Sequence, residues 1–259
     1  MRRSLRFALP AVLLVLAAPL LALLRGERPA QATTGPRTPV LVELFTSEGC
    51  SSCPPADRTL ARLARDQPVD GALVVPIAWH VDYWDYIGWS DPFATKTATE
   101  RQRSYAQWMG RGSLYTPQAV VDGRVEMNGG DMSSLSRAID TAARAPRVKV
   151  TLSVRTDGDG RVVDIVTGPP PAGAEPCDVL LVVAENEAHV EVRRGENAGR
   201  TLDHIAIARQ QVVAGAVNAS GETRLQARIG SEKRPSSVVA IVSERLRRKV
   251  WGVGIVPMM

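Results

Sequence analysis

The chain has 259 residues, 44% hydrophobic and 23% charged, with 32 Lys and Arg against 27 Asp and Glu for a formal net charge of +5. Residues 1–32 hold five Arg and one Glu, so the rest of the chain carries 27 basic and 26 acidic residues, a net charge of +1. The calculated pI of about 9.4 therefore belongs largely to the N-terminal segment, and nucleic acid is excluded as a partner.

Taken in chain order, Arg2, Arg3 and Arg6 precede an apolar stretch from Phe7 to Leu24, and Ala30-Gln31-Ala32 offers a small-x-small cleavage site. Residues 1–32 are expected to be a signal peptide that exports the protein to a periplasmic or extracellular space. An uncleaved N-terminal anchor is the alternative, and the only route by which a membrane enters. Residues 33–37 form a polar linker. The remaining length suggests two domains, each able to bury its own core.

Val40 to Phe45 has the length and apolar character of a strand, Ala56 to Arg65 reads as a helix, and Ala72 to Trp79 as a second buried strand. Ser90-Asp91-Pro92 is expected to start a helix, with Asp91 as cap. On that helix Ala94, Ala98, Tyr105 and Trp108 share a face with Arg101, a charge that needs a partner there. Gln118 to Val121 and Arg124 to Met127 flank Asp122-Gly123, a hairpin signal, and Asp131 to Arg144 is helical. Ala142 to Pro146 reads as a boundary, giving a first domain over 38–146. Beyond it, short apolar or alternating runs from Val148 to Val256 predict a mainly antiparallel β-sandwich over 147–259. Asp157-Gly158-Asp159-Gly160 lacks the later ligands of a calcium loop and reads as a hairpin turn.

The chemistry concentrates at Cys50-Ser51-Ser52-Cys53, just past the first strand. A Cys-x-x-Cys pair at a helix N-terminus can cycle between dithiol and disulfide. Unpaired N–H groups and the helix dipole favour a thiolate at Cys50, the more exposed position, and Cys53 one turn in is the resolving thiol. Ser51-Ser52 carries no charge to set the potential, so the direction of the reaction stays open. His80, directly after the second strand, is a candidate to stabilise the Cys50 thiolate or shuttle protons, against a structural role in the loop. All four tyrosines and four of the five tryptophans fall between Trp79 and Tyr115, either packing inserted helices or forming a groove for an extended client. Cys177 sits beside an apolar run and reads as an inert core thiol, His189 and His204 read as structural, and Arg194 to Arg200 reads as a solvated turn or a docking loop.

Val40-Leu41-Val42-Glu43-Leu44-Phe45 leading into Cys50-x-x-Cys53, with Thr116-Pro117 ahead of a later strand, resembles thioredoxin-like proteins. The resemblance implies an α/β thioredoxin-like domain with an inserted helical segment. It also implies a cis Pro117 facing the cysteines, a Thr116 backbone free to pair with substrate, and Glu43 as the buried acid before the pair. Glu43 is then the proton acceptor for Cys53 or faces solvent at the strand edge, with Glu48 as the alternative acid. Phe45 to Asp57, Trp79 to Asp85, Tyr115 to Gln118 and Arg194 to Asn197 together are similar to a secreted bacterial thioredoxin-like family, domain of unknown function 1223. What this implies is a thiol-disulfide oxidoreductase that needs no bound cofactor, acts on protein or small thiol substrates and exchanges electrons with a redox partner protein. Two alternatives stand beside it. One is a soft-metal protein holding an ion such as Cu(I) on Cys50, Cys53 and His80, and the other a binding module with a structural Cys50–Cys53 disulfide.

Overall fold

The computed structural model describes residues 36–258 apart from Ser231; the expected leader over 1–32 and the start of the linker lie outside the described residues. Strand β1 (Thr38–Thr46) is buried from Val40 to Thr46, and its alternation decides what packs where. Val40, Val42 and Leu44 point to one face. There they meet Ala56, Leu60 and Leu63 of helix α1 (Pro54–Asp66) and Leu135, Ile139 and Ala142 of helix α3 (Met132–Ala143). Leu41 and Phe45 point to the other, joining Ala98 and Tyr105 of helix α2 (Lys96–Trp108).

Helix α1 is the crossover that lays strand β2 (Ala72–His80) parallel to β1, in register from Thr38↔Ala72 to Thr46↔His80. Strands β3 (Gln118–Val121) and β4 (Val125–Asn128) follow as an antiparallel hairpin on the other side of β1. Asp122 and Gly123 turn that hairpin with φ of 51° and 60°, the paired positive values a two-residue hairpin loop requires. The expected helix start at Asp91 lies elsewhere: Thr95 caps α2 by accepting the Ala98 N–H, because the Asp91 carboxylate already accepts the N–H groups of Glu48 and Phe93.

The remaining strands are β5 (Val150–Asp157), β6 (Gly160–Thr167), β7 (Cys177–Glu191), β8 (Thr201–Ala216), β9 (Thr223–Gly230), β10 (Ser236–Glu244) and β11 (Val250–Met258). They do not make a body of their own. The expected boundary at 146/147 is corrected: one eight-stranded mixed sheet runs β11-β10-β7-β8-β2-β1-β3-β4, and the chain from the linker onward is a single compact unit. The physical reason is the far edge of β2, which β8 covers in parallel at Ala78↔Ile207. Only β5, β6 and β9 form a separate three-stranded sheet. Val163, Ile165 and Ile229 from it pack on Val179, Leu181, Val238 and Ala240 of the large sheet, while the intervening Leu180, Val182, Val239 and Ile241 belong to the cluster under α2. Among the described residues no helix is long and apolar enough to cross a membrane.

Candidate functional site

The loop from Ser47 to Cys53 folds on itself, the Cys50 N–H donating to Ser47 O and the Cys53 N–H to Cys50 O, each at 3.1 Å. Cys50 and Cys53 are joined in a disulfide with a Cα–Cα distance of 5.4 Å. Cys53 is the N-cap residue of α1 at φ −77°, ψ −37°, so the proline after it has not kept it from helical geometry. Pro54 and Pro55 fill the first turn, where no N–H donor is needed.

Cys50 is not the exposed partner expected: both cysteines have 0% of their surface accessible, while Ser51 and Ser52 are exposed. Two covers account for this. On one side a Cβ at Gly49 would lie 3.1 Å from both Trp84 Cβ and Ile87 Cδ1, so the aromatic insertion rests directly on the backbone before Cys50. Trp84 Nε1 donates at 2.8 Å to Thr116 Oγ1, and Thr116–Pro117 is a cis peptide bond. Pro117 in turn reaches the start of α1, since a Cβ on Gly129 would meet Leu44, Ala56 and Pro117 together. On the other side lies the turn between β7 and β8. The buried Asn197 donates to the carbonyls of both Glu48 and Cys50, at 2.8 and 3.0 Å, and the Glu196 carboxylate accepts the Ser51 N–H at 3.1 Å. Arg194 to Arg200 is thus a docking loop and not a solvated turn.

Glu43 is buried but serves a different centre. Its Oε1 accepts from Trp79 Nε1 at 2.7 Å and Arg101 Nε at 2.6 Å, and Oε2 accepts the Tyr105 hydroxyl. Both oxygens are engaged by the α2 side of the sheet, which is the partner Arg101 required. The expectation that Glu43 accepts the Cys53 proton, or faces solvent, is replaced by a buried ion pair.

Behind the cysteines lies a polar cluster that the sequence showed only in part. His80 Nδ1 is 2.7 Å from Asp91 Oδ2, His204 Nε2 is 3.2 Å from Glu48 Oε1, and the two imidazoles meet edge to face at 4.7 Å. Trp89 Nε1 donates to Glu48 Oε2, and Thr46 Oγ1 donates to Asp57 Oδ1 at 2.9 Å. Glu48, Asp57, His80, Asp91 and His204 are all buried. Burial alone would lower the His80 pKa, but the Asp91 carboxylate raises it above the ordinary value; burial raises Asp57 against the opposing pull of His204 and His80. Burial pushes Asp91 up, but His80 together with the N–H groups of Glu48 and Phe93 holds it below the usual carboxylate range. His204 is not the remote structural residue its sequence context suggests: the β2–β8 pairing sets it beside His80. No local pattern signals such a pairing between residues so far apart in sequence. Among the described residues no group of three or more His, Cys, Asp and Glu is placed to hold a metal.

Residues 41–243 match a family described as "Protein of unknown function (DUF1223)". The chain belongs to this family. This DUF1223 chain is similar in structure to a protein of Agrobacterium tumefaciens solved by X-ray crystallography as a structural-genomics target, at 27% identity and a TM-score of 0.65 over 87% of this chain and 96% of that one. It is also similar in fold to HBP35 of Porphyromonas gingivalis, at 16% identity and a TM-score of 0.64 over 86% of this chain and 76% of that one. No curated protein matches it. Of the other residues singled out in the DUF1223 sequence, Cys177 is a buried free thiol in the core under the three-stranded sheet, its pKa pushed up to about 11 by that burial. His189 pairs with Asp203 at an exposed position.

Proposed function

We propose that this protein is an exported, thioredoxin-like thiol-disulfide oxidoreductase that cycles Cys50 and Cys53 between disulfide and dithiol on protein or small thiol substrates. The observation that carries the reading is the Cys50–Cys53 disulfide at the N-terminus of α1, with Trp84, bonded to Thr116, against the Gly49 backbone and the 195–197 turn bonded to the Cys50 carbonyl. In the dithiol form a thiolate at Cys50 gains from the α1 dipole, while the N–H groups of Cys53, Ala56 and Asp57 are already spent on the carbonyls of Cys50 and Cys53. The basic and apolar residues before Ala32 support export, into a compartment where a disulfide persists. The β1-α1-β2 unit followed by the β3–β4 hairpin and α3 supports the thioredoxin-like description.

A second reading is favoured by one observation, the complete burial of both cysteines. A disulfide sealed in this way also suits a binding module in which it is structural. A redox titration of residues 33–259 separates the two. An oxidoreductase gives a reversible two-electron transition of Cys50–Cys53 at a potential above roughly −300 mV, whereas a structural disulfide resists reduction to below about that value.

A further inference from the structure

We infer that Asp57 takes up and returns the Cys53 proton during the redox cycle, through a small cleft that connects it to solvent; this rests on the oxidoreductase reading above. With both cysteines closed off from water, a thiol proton formed or lost at Cys53 needs a buried acceptor. Glu43 is engaged elsewhere. Asp57 is four residues beyond Cys53 on α1 and its N–H bonds the Cys53 carbonyl, a spacing that puts the two Cβ atoms roughly 5–6 Å apart on one helix face. Thr46 holds Asp57 Oδ1 from β1. Asp57 also lines a cleft of about 60 Å³ with Pro54, Arg58, Thr201, Leu202 and Asp203, large enough for water and bounded by exposed charge.

The charged groups set around Asp57 are His80 on β2, His204 on β8 and Asp91 ahead of α2, with Glu48 paired to His204 and Arg58 and Asp203 at the cleft. The two imidazoles and the carboxylates act in opposite senses, and burial leaves the carboxyl above its ordinary range, the direction a base working near neutral pH needs. In the reducing direction the Cys50 thiolate attacks a substrate disulfide, forming a mixed disulfide and expelling one substrate thiolate. Cys53 then gives its proton to the Asp57 carboxylate and its thiolate attacks Cys50 Sγ. The Cys50–Cys53 bond forms, the bond to substrate breaks, and the second substrate thiolate leaves. Two electrons pass to the substrate, and Asp57 releases its proton through the cleft. Oxidation of a dithiol substrate runs these steps backward.

The test loads Cys50 with glutathione as a mixed disulfide and follows its resolution by Cys53 against pH. Asp57→Asn should slow resolution at least tenfold near pH 7, with the two rates converging above about pH 9, where a thiol ionises unaided. Alkylation of Cys50 in the reduced variant should stay within about twofold of wild type. A variant with the wild-type pH profile overturns the assignment. As a check that needs no variant, the Asp57 carboxyl of the unsubstituted protein is titrated by ¹³C NMR. Its midpoint should differ between the disulfide and dithiol forms, and equal midpoints overturn the assignment. Failure of the wild-type mixed disulfide to resolve even at pH 9 would instead overturn the oxidoreductase reading, and this one with it.

Discussion

Glu43 and Arg101 lie 0% and 5% exposed in their side chains, with Tyr105 and Trp79 supplying the remaining donors. Removing one partner leaves an uncompensated charge in an apolar layer, so Arg101→Met should cost about 3–5 kcal/mol, while the double change Glu43→Gln with Arg101→Met should recover much of it. Urea unfolding checks both, and Cys50 alkylation should be unaffected because this pair sits on the α2 side. His80 gives a second residue-scale expectation. Its pKa is raised by Asp91 over the opposing effect of burial, so its contribution to stability is full below the unfolded value of about 6.5 and is lost as pH rises through the higher folded value. Asp57, also raised, adds loss in the same direction at lower pH, beginning at its unfolded value near 3.8. Thermal melts should therefore show stability declining on the alkaline side of neutrality, and His80→Gln should flatten that decline. An unchanged slope in the variant would assign it to another group.

At the scale of elements, the turn between β7 and β8 decides whether Cys50 can be reached. Asn197 is 0% exposed and bonds two carbonyls of the redox loop, and Gly195, at φ 76°, lets the turn close on Trp89. A buried hydrogen bond contributes about 1 kcal/mol net, so Asn197→Ala frees roughly 2 kcal/mol of docking and leaves two carbonyls to water. Reduction of the disulfide by dithiothreitol should then accelerate by about tenfold or more, with faster exchange of the Ser51 amide; equal rates would mean that access is gated elsewhere. This turn was legible only as a polar sequence, since its partners lie about 150 residues earlier. The Asp122-Gly123 hairpin, α1 and α3 were legible because their signals are local: turn residues, a proline entry and apolar spacing. Residues 177–191 form one strand although Glu185-Asn186-Glu187 interrupts the apolar run. The strand continues because Glu185 is buried against Arg209 and Arg234, a compensation no local pattern reveals.

For the whole molecule, the division into a redox domain and a separate sandwich failed because both the sheet and its core cross the expected boundary. Leu41, Phe45 and Ile77 share one cluster with Leu180, Val182, Val239, Ile241 and Val253. Polar ties run the same way: the Val250 N–H donates to the Asp122 carbonyl, and Arg147 pairs with the Asp122 carboxylate that accepts the Leu41 N–H. A chain cut after Pro146 would expose the far edge of β2 and the apolar faces of β1 and β2 where they meet β7, β10 and β11. It would also strip Asn197 and His204 from the loop that carries the cysteines. At about 25 cal/mol per Å², losing roughly 200 Å² of that apolar burial already costs about 5 kcal/mol, the lower end of ordinary domain stability. Residues 38–146 expressed alone should therefore give no cooperative urea transition and should bind a hydrophobic dye, while residues 33–259 unfold in a single step. A cooperative fragment whose Cys50 reactivity equals that of the longer chain would show that the shared core and sheet are dispensable to the redox loop.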